Sequence, residues 1–241
     1  MVAFELAVQD AHGLDVAARL TVDRIELCSA LPLGGVTPSL GFVEAATGTA
    51  GIPPVHVLVR PRPGGFEYEP AEVAVIVADV RHARAAGAAG VVVGGLRGGR
   101  VDASLVERVI EAAAGADVTF HRAFDNAEDP YAAIDALVGL GVRRILTSAG
   151  AANVADALPA LARLVEAAAG RIEIMAGGGV RPGVVGKIVE TGVPAVHASA
   201  KHVVHDAAGV SLGTADGAGR ETTDEAEARR IIEALRGGPA V

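Results

Sequence analysis

"RIEIMAGGGVRPG", residues 171–183, passes from a β-rich run through three glycines into a helical stretch at 181–190. That order is one βα unit, and the chain repeats it from end to end. Eight β-rich runs occur: "AFELAV" (3–8), "RIELC" (24–28), "PVHVLVR" (54–60), "GVVVGG" (90–95), "DVTFHR" (117–122), "RRILTS" (143–148), "RIEIMAG" (171–177) and "AVHASA" (195–200). Stretches of helical period lie between and after them, near 9–20, 39–47, 70–86, 102–114, 129–139, 153–168, 181–190 and 222–236. Eight evenly spaced units in 241 residues predict an α/β fold of the (β/α)8 TIM-barrel kind, one domain over 1–241, rather than an open doubly wound sheet.

The composition suits that architecture. Half the residues are apolar, yet aromatics make up 3% and Trp is absent, so the core must be built from small and branched aliphatic side chains. Parallel strands covered by Ala-rich helices use such residues. Asp102 is placed to cap the fourth helix, Asp129 with Pro130 to start the fifth and Asn153 to cap the sixth. Gly87, Gly141 and Gly192 stand where helices stop ahead of a strand. Residues 201–221 form the one long irregular stretch, read as a mobile loop after the eighth strand.

Residues two apart on a strand share a face, and the polar ones sort together. Glu5 and Ala7; Arg24, Glu26 and Cys28; His56, Leu58 and Arg60; Thr119 and His121; and His197 with Ser199 are assigned to the barrel interior and its C-terminal mouth, where barrel enzymes keep their chemistry. Glu5, low in the barrel, reads as structural and His56 as a satisfied core histidine. Glu26, His121 and Arg60 are the candidate catalytic residues, with His121 as general acid or base and Glu26 as its carboxylate partner. Arg122 pairs with Asp125 on the rim. Gly177, Gly178 and Gly179, with "HASAK" (197–201) as the second half, read as an anion site, because glycines bring backbone N–H groups close to a ligand. Arg62 joins Arg60 as a group suited to carboxylate or phosphate. Lys187 sits on a helix and Lys201 just past the last strand, which disfavours Schiff-base chemistry inside the barrel.

Charge and cysteine usage exclude other classes. A net charge of -8 with scattered Lys and Arg gives no footprint for nucleic acid. No run of about 18 apolar residues exists, nor a charged leader before an apolar stretch, so a cytoplasmic protein without membrane contact is expected. The one cysteine, Cys28, rules out an internal disulfide, and no paired His or Cys spacing marks a metal site.

These residues carry a resemblance. "DRIELCSALPLGGVTPSLG" (23–41), "PVHVLVRPRPGGFEY" (54–68), "VTFHRAFD" (118–125), "RRILTSAG" (143–150), "RIEIMAGGGV" (171–180) and "VHASAK" (196–201) resemble the CutC family of copper homeostasis proteins, in order and over nearly the whole chain to about residue 200. The resemblance implies a TIM barrel, a cytoplasmic homodimer and a relation to copper. It also carries over the polar mouth: Glu26, Arg60, Arg62, His121, Arg122, Asp125, Ser148, the glycines 177–179 and His197. Many members read "EVCVDS" in the first strand, whereas this chain reads "ELAVQD" with Ala7 in the cysteine's place. Cys28 alone remains as a thiolate, and a Cu(I) site then needs a dimer partner, Met175 or a histidine as well. Three readings stand open: copper homeostasis with Cu(I) held through Cys28; a lyase, isomerase or hydrolase acting on a small anionic or phosphorylated metabolite; and a non-catalytic binding protein.

Overall fold

Each β-rich run becomes a strand, and all but the first end one or two residues before the run does. The computed structural model describes residues 1–205 and 219–237. Its strands are β1 (Ala3–Val8), β2 (Arg24–Leu27), β3 (Val55–Leu58), β4 (Gly90–Val93), β5 (Asp117–Phe120), β6 (Arg144–Thr147), β7 (Glu173–Ala176) and β8 (Ala195–Ala198). They pair in parallel in the order β1-β8-β7-β6-β5-β4-β3-β2 and close on themselves. The expected (β/α)8 barrel is therefore the fold.

The helices are α1 (Ala11–Arg19), α2 (Leu40–Gly48), α3 (Pro70–Ala85), α4 (Ala103–Ala113), α5 (Pro130–Gly139), α6 (Leu158–Ala168), α7 (Pro182–Val189) and α8 (Glu225–Leu235). Asp102 and Asp129 cap α4 and α5 as expected, their carboxylates accepting from Leu105 N and from Tyr131 N and Ala132 N. Asn153 does not cap α6. A 3-10 turn, Val154–Ala157, intervenes and Ala157 takes the cap position. Gly87, Gly141 and Gly192 have φ of 93°, 79° and 85°, the left-handed conformation expected where a helix stops.

The outward strand residues, among them Leu6, Ile25, Val57, Val91, Phe120, Ile145, Ile174 and Val196, pack under the helices in the main core. Two small apolar clusters fill the barrel interior: Cys28, Leu58 and Val92 on one side, and Leu146, Met175 and Ala195 on the other. The stretch 201–221 is not irregular throughout. Lys201–Val204 and Arg220–Thr223 pair as an antiparallel ribbon, and residues 206–218 lie outside the described residues. A second ribbon, Leu96–Arg97 with Arg100–Val101, interrupts the β4–α4 connection. Among the described residues no helix is long and apolar enough to cross a membrane.

Candidate active site at the barrel mouth

The barrel floor is a chain of charges. Strand register sets Glu5 between Arg24 on β2 and His197 on β8. Arg24 Nε donates to Glu5 Oε2 at 2.6 Å and its Nη2 to Glu173 Oε1 at 3.0 Å. Arg144 then donates to Glu173 at 3.0 Å, to Thr119 at 3.2 Å and to Asp117 at 3.0 Å. Glu5 is structural in this sense, as expected. Glu26 and Arg60 are not part of the network. His56 is a core residue, yet its buried Nδ1 has no partner among the described residues, and burial lowers its pKa to about 4.

Above this floor stands Glu26, 5% exposed, with Oε2 buried and without a partner among the described residues. Burial raises its carboxyl to about 7, with Glu5 adding repulsion and His197 opposing the shift. His197 is held by its Nδ1, 2.8 Å from Glu5 Oε1. Burial works against its charge, but Glu26 and Glu5 outweigh that and raise its pKa. Glu5 is brought down to about 2: burial pushes it up, and the hydrogen bond and charge of His197, with Arg24, prevail.

His121 lies just past a strand end and caps the turn that follows. β5 stops at Phe120, and after His121 N pairs with Val93 O the chain turns into the 3-10 segment Arg122–Asn126. The imidazole caps that turn: Ala123 N donates to Nδ1 at 3.1 Å, so the ring proton sits on Nε2. Nε2 is buried and unpartnered among the described residues. Burial, with the charge of Arg60, lowers the pKa to about 3. With Nδ1 accepting from Ala123 N and its pKa held low, the neutral imidazole offers Nε2–H as a donor to the cavity. Because the unfolded chain takes up the second ring proton first, the group withdraws stability as pH falls from 6.5 towards 3. Long-range ¹H–¹⁵N spectra should show a neutral Nε2–H imidazole down to about pH 4. A protonation inflection near 6.5 would overturn this assignment.

The arginines divide. Arg60 stitches two loops together, its Nη1 donating to Leu33 O at 3.1 Å and Gly35 O at 2.8 Å and its Nη2 to Gly64 O at 2.9 Å, while Nε stays buried without a partner. Arg62 is spent on Glu72 and on the carbonyls of Gly65 and Glu67, stacks over Tyr68, and lies outside the mouth cavity. Arg122 and Asp125 do pair, at 2.8 Å. Asp125 also accepts from Thr147 Oγ1, Ser148 N, Ser148 Oγ and Gly150 N, so Ser148 is tied to the rim and does not line the cavity.

What converges is one cavity of about 340 Å³. Glu26, Arg60, His121, Arg122, Gly178, Gly179, His197 and Ser199 line it; Gly177 does not. Gly178 and Gly179 have φ of 97° and 73°, and their N–H groups have no partner among the described residues. Lys201, the last residue of "HASAK", lines it as well, and sequence reasoning missed Phe66, Arg181 and Glu227, which also do. It missed Gly94 too: a Cβ there would stand 2.3 Å from His121 Nδ1, so this glycine makes the slot for the imidazole. The doubled glycine closing "GVVVGG" was the available signal, since glycine at a strand end often marks close approach of another group.

Comparison with known proteins agrees with the barrel fold. The CutC family model matches residues 2–202. The chain belongs to the CutC family. A CutC family protein of Agrobacterium fabrum is 46% identical over 232 residues, 94% of this chain and 91% of its own. The crystal structure of the protein described as copper homeostasis protein CutC from Streptococcus agalactiae matches with a TM-score of 0.78 at 33% identity, over 83% of this chain and 99% of that one. 3-Hexulose-6-phosphate synthase from Salmonella typhimurium, with a TM-score of 0.64 and 18% identity over 99% of this chain and 100% of that one, shares the fold alone.

Copper comes with the description of the Streptococcus agalactiae protein, and this CutC chain's residues fit it poorly. Cys28 is fully buried and packs with Leu58, Val92 and Leu31. Burial, reinforced by Glu26, pushes its thiol well up, against the thiolate that Cu(I) requires. Met175, the other sulfur considered, accepts a hydrogen bond from Arg24 Nη2 at 2.9 Å and belongs to the opposite interior cluster.

Proposed function

We propose that this CutC protein takes a small anionic, phosphorylated metabolite into the barrel mouth and acts on it as an isomerase, lyase or hydrolase. One observation carries the reading: two buried polar atoms, Glu26 Oε2 and His121 Nε2, have no partner among the described residues and belong to residues lining the same cavity. Folded proteins seldom leave such groups unpaired, and a bound ligand accounts for both. The Gly178–Gly179 turn, with Ser199, Arg122 and Lys201 nearby, is suited to the anionic end, where barrel folds commonly bind phosphate. His121 donates from Nε2 to a carbonyl or hydroxyl oxygen, Glu26 faces the reacting end, and Arg60 supplies fixed positive charge at the rim.

Cu(I) through Cys28 is the weaker reading on the geometry above. The single domain over 1–241, the homodimer and the cytoplasmic setting remain part of the proposal on family membership. Thermal melting tests the main reading. Inorganic phosphate at about ten times its Kd should raise Tm by about 3–6 °C. A panel of sugar phosphates should contain compounds that raise it further. In His121→Ala the phosphate response should persist and the additional response should fall. If neither phosphate nor the panel shifts Tm, the metabolite reading fails and a scaffold role gains.

A further inference from the structure

Beneath the anion site lies a second constellation. One ligand-capable atom each from Glu5, Glu26 and His197 falls within 4.8 Å of the others, close to the span of atoms sharing one ion at about 2.0–2.2 Å. A carboxylate cluster alone would mean little. Two further observations single this one out. Glu26 Oε2 is buried and unpartnered and forms no ion pair among the described residues, so the oxygen is desolvated without compensation. His197 is already oriented, because Glu5 holds Nδ1 at 2.8 Å and Arg24 holds Glu5 at 2.6 Å. That is the carboxylate–histidine support usual behind a metal-ligating imidazole.

We infer that Glu26 and His197 bind a divalent cation at the inner end of the mouth cavity, Glu26 through its free oxygen and His197 through Nε2, with Glu5 fixing the imidazole from behind. The donor set selects the ion class. Carboxylate oxygen with one imidazole suits borderline or hard divalent ions such as Mn²⁺, Zn²⁺ and Co²⁺, and lacks the sulfur that Cu(I) prefers. Two direct protein ligands leave positions open to water or to a ligand entering from the mouth, as at catalytic rather than structural metal sites. The inference shares Glu26 Oε2 with the metabolite reading but uses neither the glycine turn nor His121, so titration with metal alone, without phosphate, can fail or succeed separately from that reading.

Chelator-stripped full-length protein, titrated separately with Mn²⁺, Zn²⁺ and Co²⁺, tests it by calorimetry and thermal melting. At least one ion should bind with one equivalent per chain and raise Tm by about 5–10 °C at a hundredfold excess over Kd. Glu26→Gln should abolish saturable binding while its metal-free melting stays close to that of the parent, because the replaced oxygen holds nothing. Glu5→Gln should weaken binding by about 10–100-fold through loss of the imidazole's support. If Glu5→Gln does not fold, Glu26→Gln decides alone. Absence of saturable binding by all three ions overturns the inference, as does binding that Glu26→Gln leaves unchanged. Binding lost in Cys28→Ser but kept in Glu26→Gln would assign the ion to the thiol and overturn it equally.

Discussion

Arg24→Met should lower the unfolding free energy by about 3–5 kcal/mol, because the substitution strands buried charge rather than removing a contact of average value. Arg24 is 7% exposed and bridges two carboxylates, of which Glu5 is fully buried. Without the guanidinium Glu5 keeps only His197, and Glu173 keeps only Arg144. For a chain of this length the loss corresponds to a fall in Tm of about 6–20 °C. Urea unfolding in chelator-containing buffer gives the free energy directly. The double variant Arg24→Met with Glu5→Gln separates the explanations. If the cost comes from stranded charge, neutralising Glu5 restores about 1–3 kcal/mol relative to Arg24→Met alone. If the cost came only from lost packing, the double variant would be the less stable of the two.

The polar network behind that prediction was half legible. Sorting strand residues by a period of two puts Glu5, Arg24, Glu26, His121 and His197 on one side, since each alternates with an apolar residue that must face the helices. It does not say which charge meets which. Arg24 reaches Glu173 from 149 residues away because β2 and β7 face each other across a closed barrel. Arg62 reads the same as Arg60 in "VRPRPGG", yet Arg62 meets Glu72 at the start of α3 while Arg60 turns onto loop carbonyls.

Element ends were the other limit. The β-rich runs continue past the last strand residue to Cys28, His121, Ser148 and Ser199, so alternation alone overshoots by a residue or two. The overshoot matters, because residues just beyond a strand end are those free to turn towards a ligand. His121 shows the consequence: placed in a strand it reads as an acid or base, and placed as a 3-10 cap its Nδ1 is occupied and its tautomer set. The ribbon of Lys201–Val204 with Arg220–Thr223 escaped notice for a different reason. Its pairing spans a long separation and its residues are largely polar, so no periodic burial announces it.

Asp125→Ala should cost about 3–5 kcal/mol and loosen the mouth at the same time. The Asp125 side chain is 7% exposed and its two oxygens gather donors from three places: Arg122 Nε at 2.8 Å on its own 3-10 turn, Thr147 Oγ1 at the end of β6, and Ser148 N and Gly150 N in the loop beyond, at 3.1 and 3.2 Å. Alanine leaves five donors, Ser148 Oγ included, to find other partners or water or remain unpaired. Arg122, 40% exposed, can turn to solvent; the hydroxyl of fully buried Thr147 cannot. Asn should recover only part of the loss, because its amide nitrogen presents a donor where the native carboxylate accepts. A second readout follows from position. Arg122 packs against the Gly178 turn, where an added Cβ would lie 3.1 Å from its guanidinium carbon, so freeing Arg122 should also weaken the phosphate response of the folded variant. Urea unfolding of Asp125→Ala within about 1 kcal/mol of the parent would show that water replaces the carboxylate without penalty, and would remove Asp125 from the groups that hold the mouth in shape.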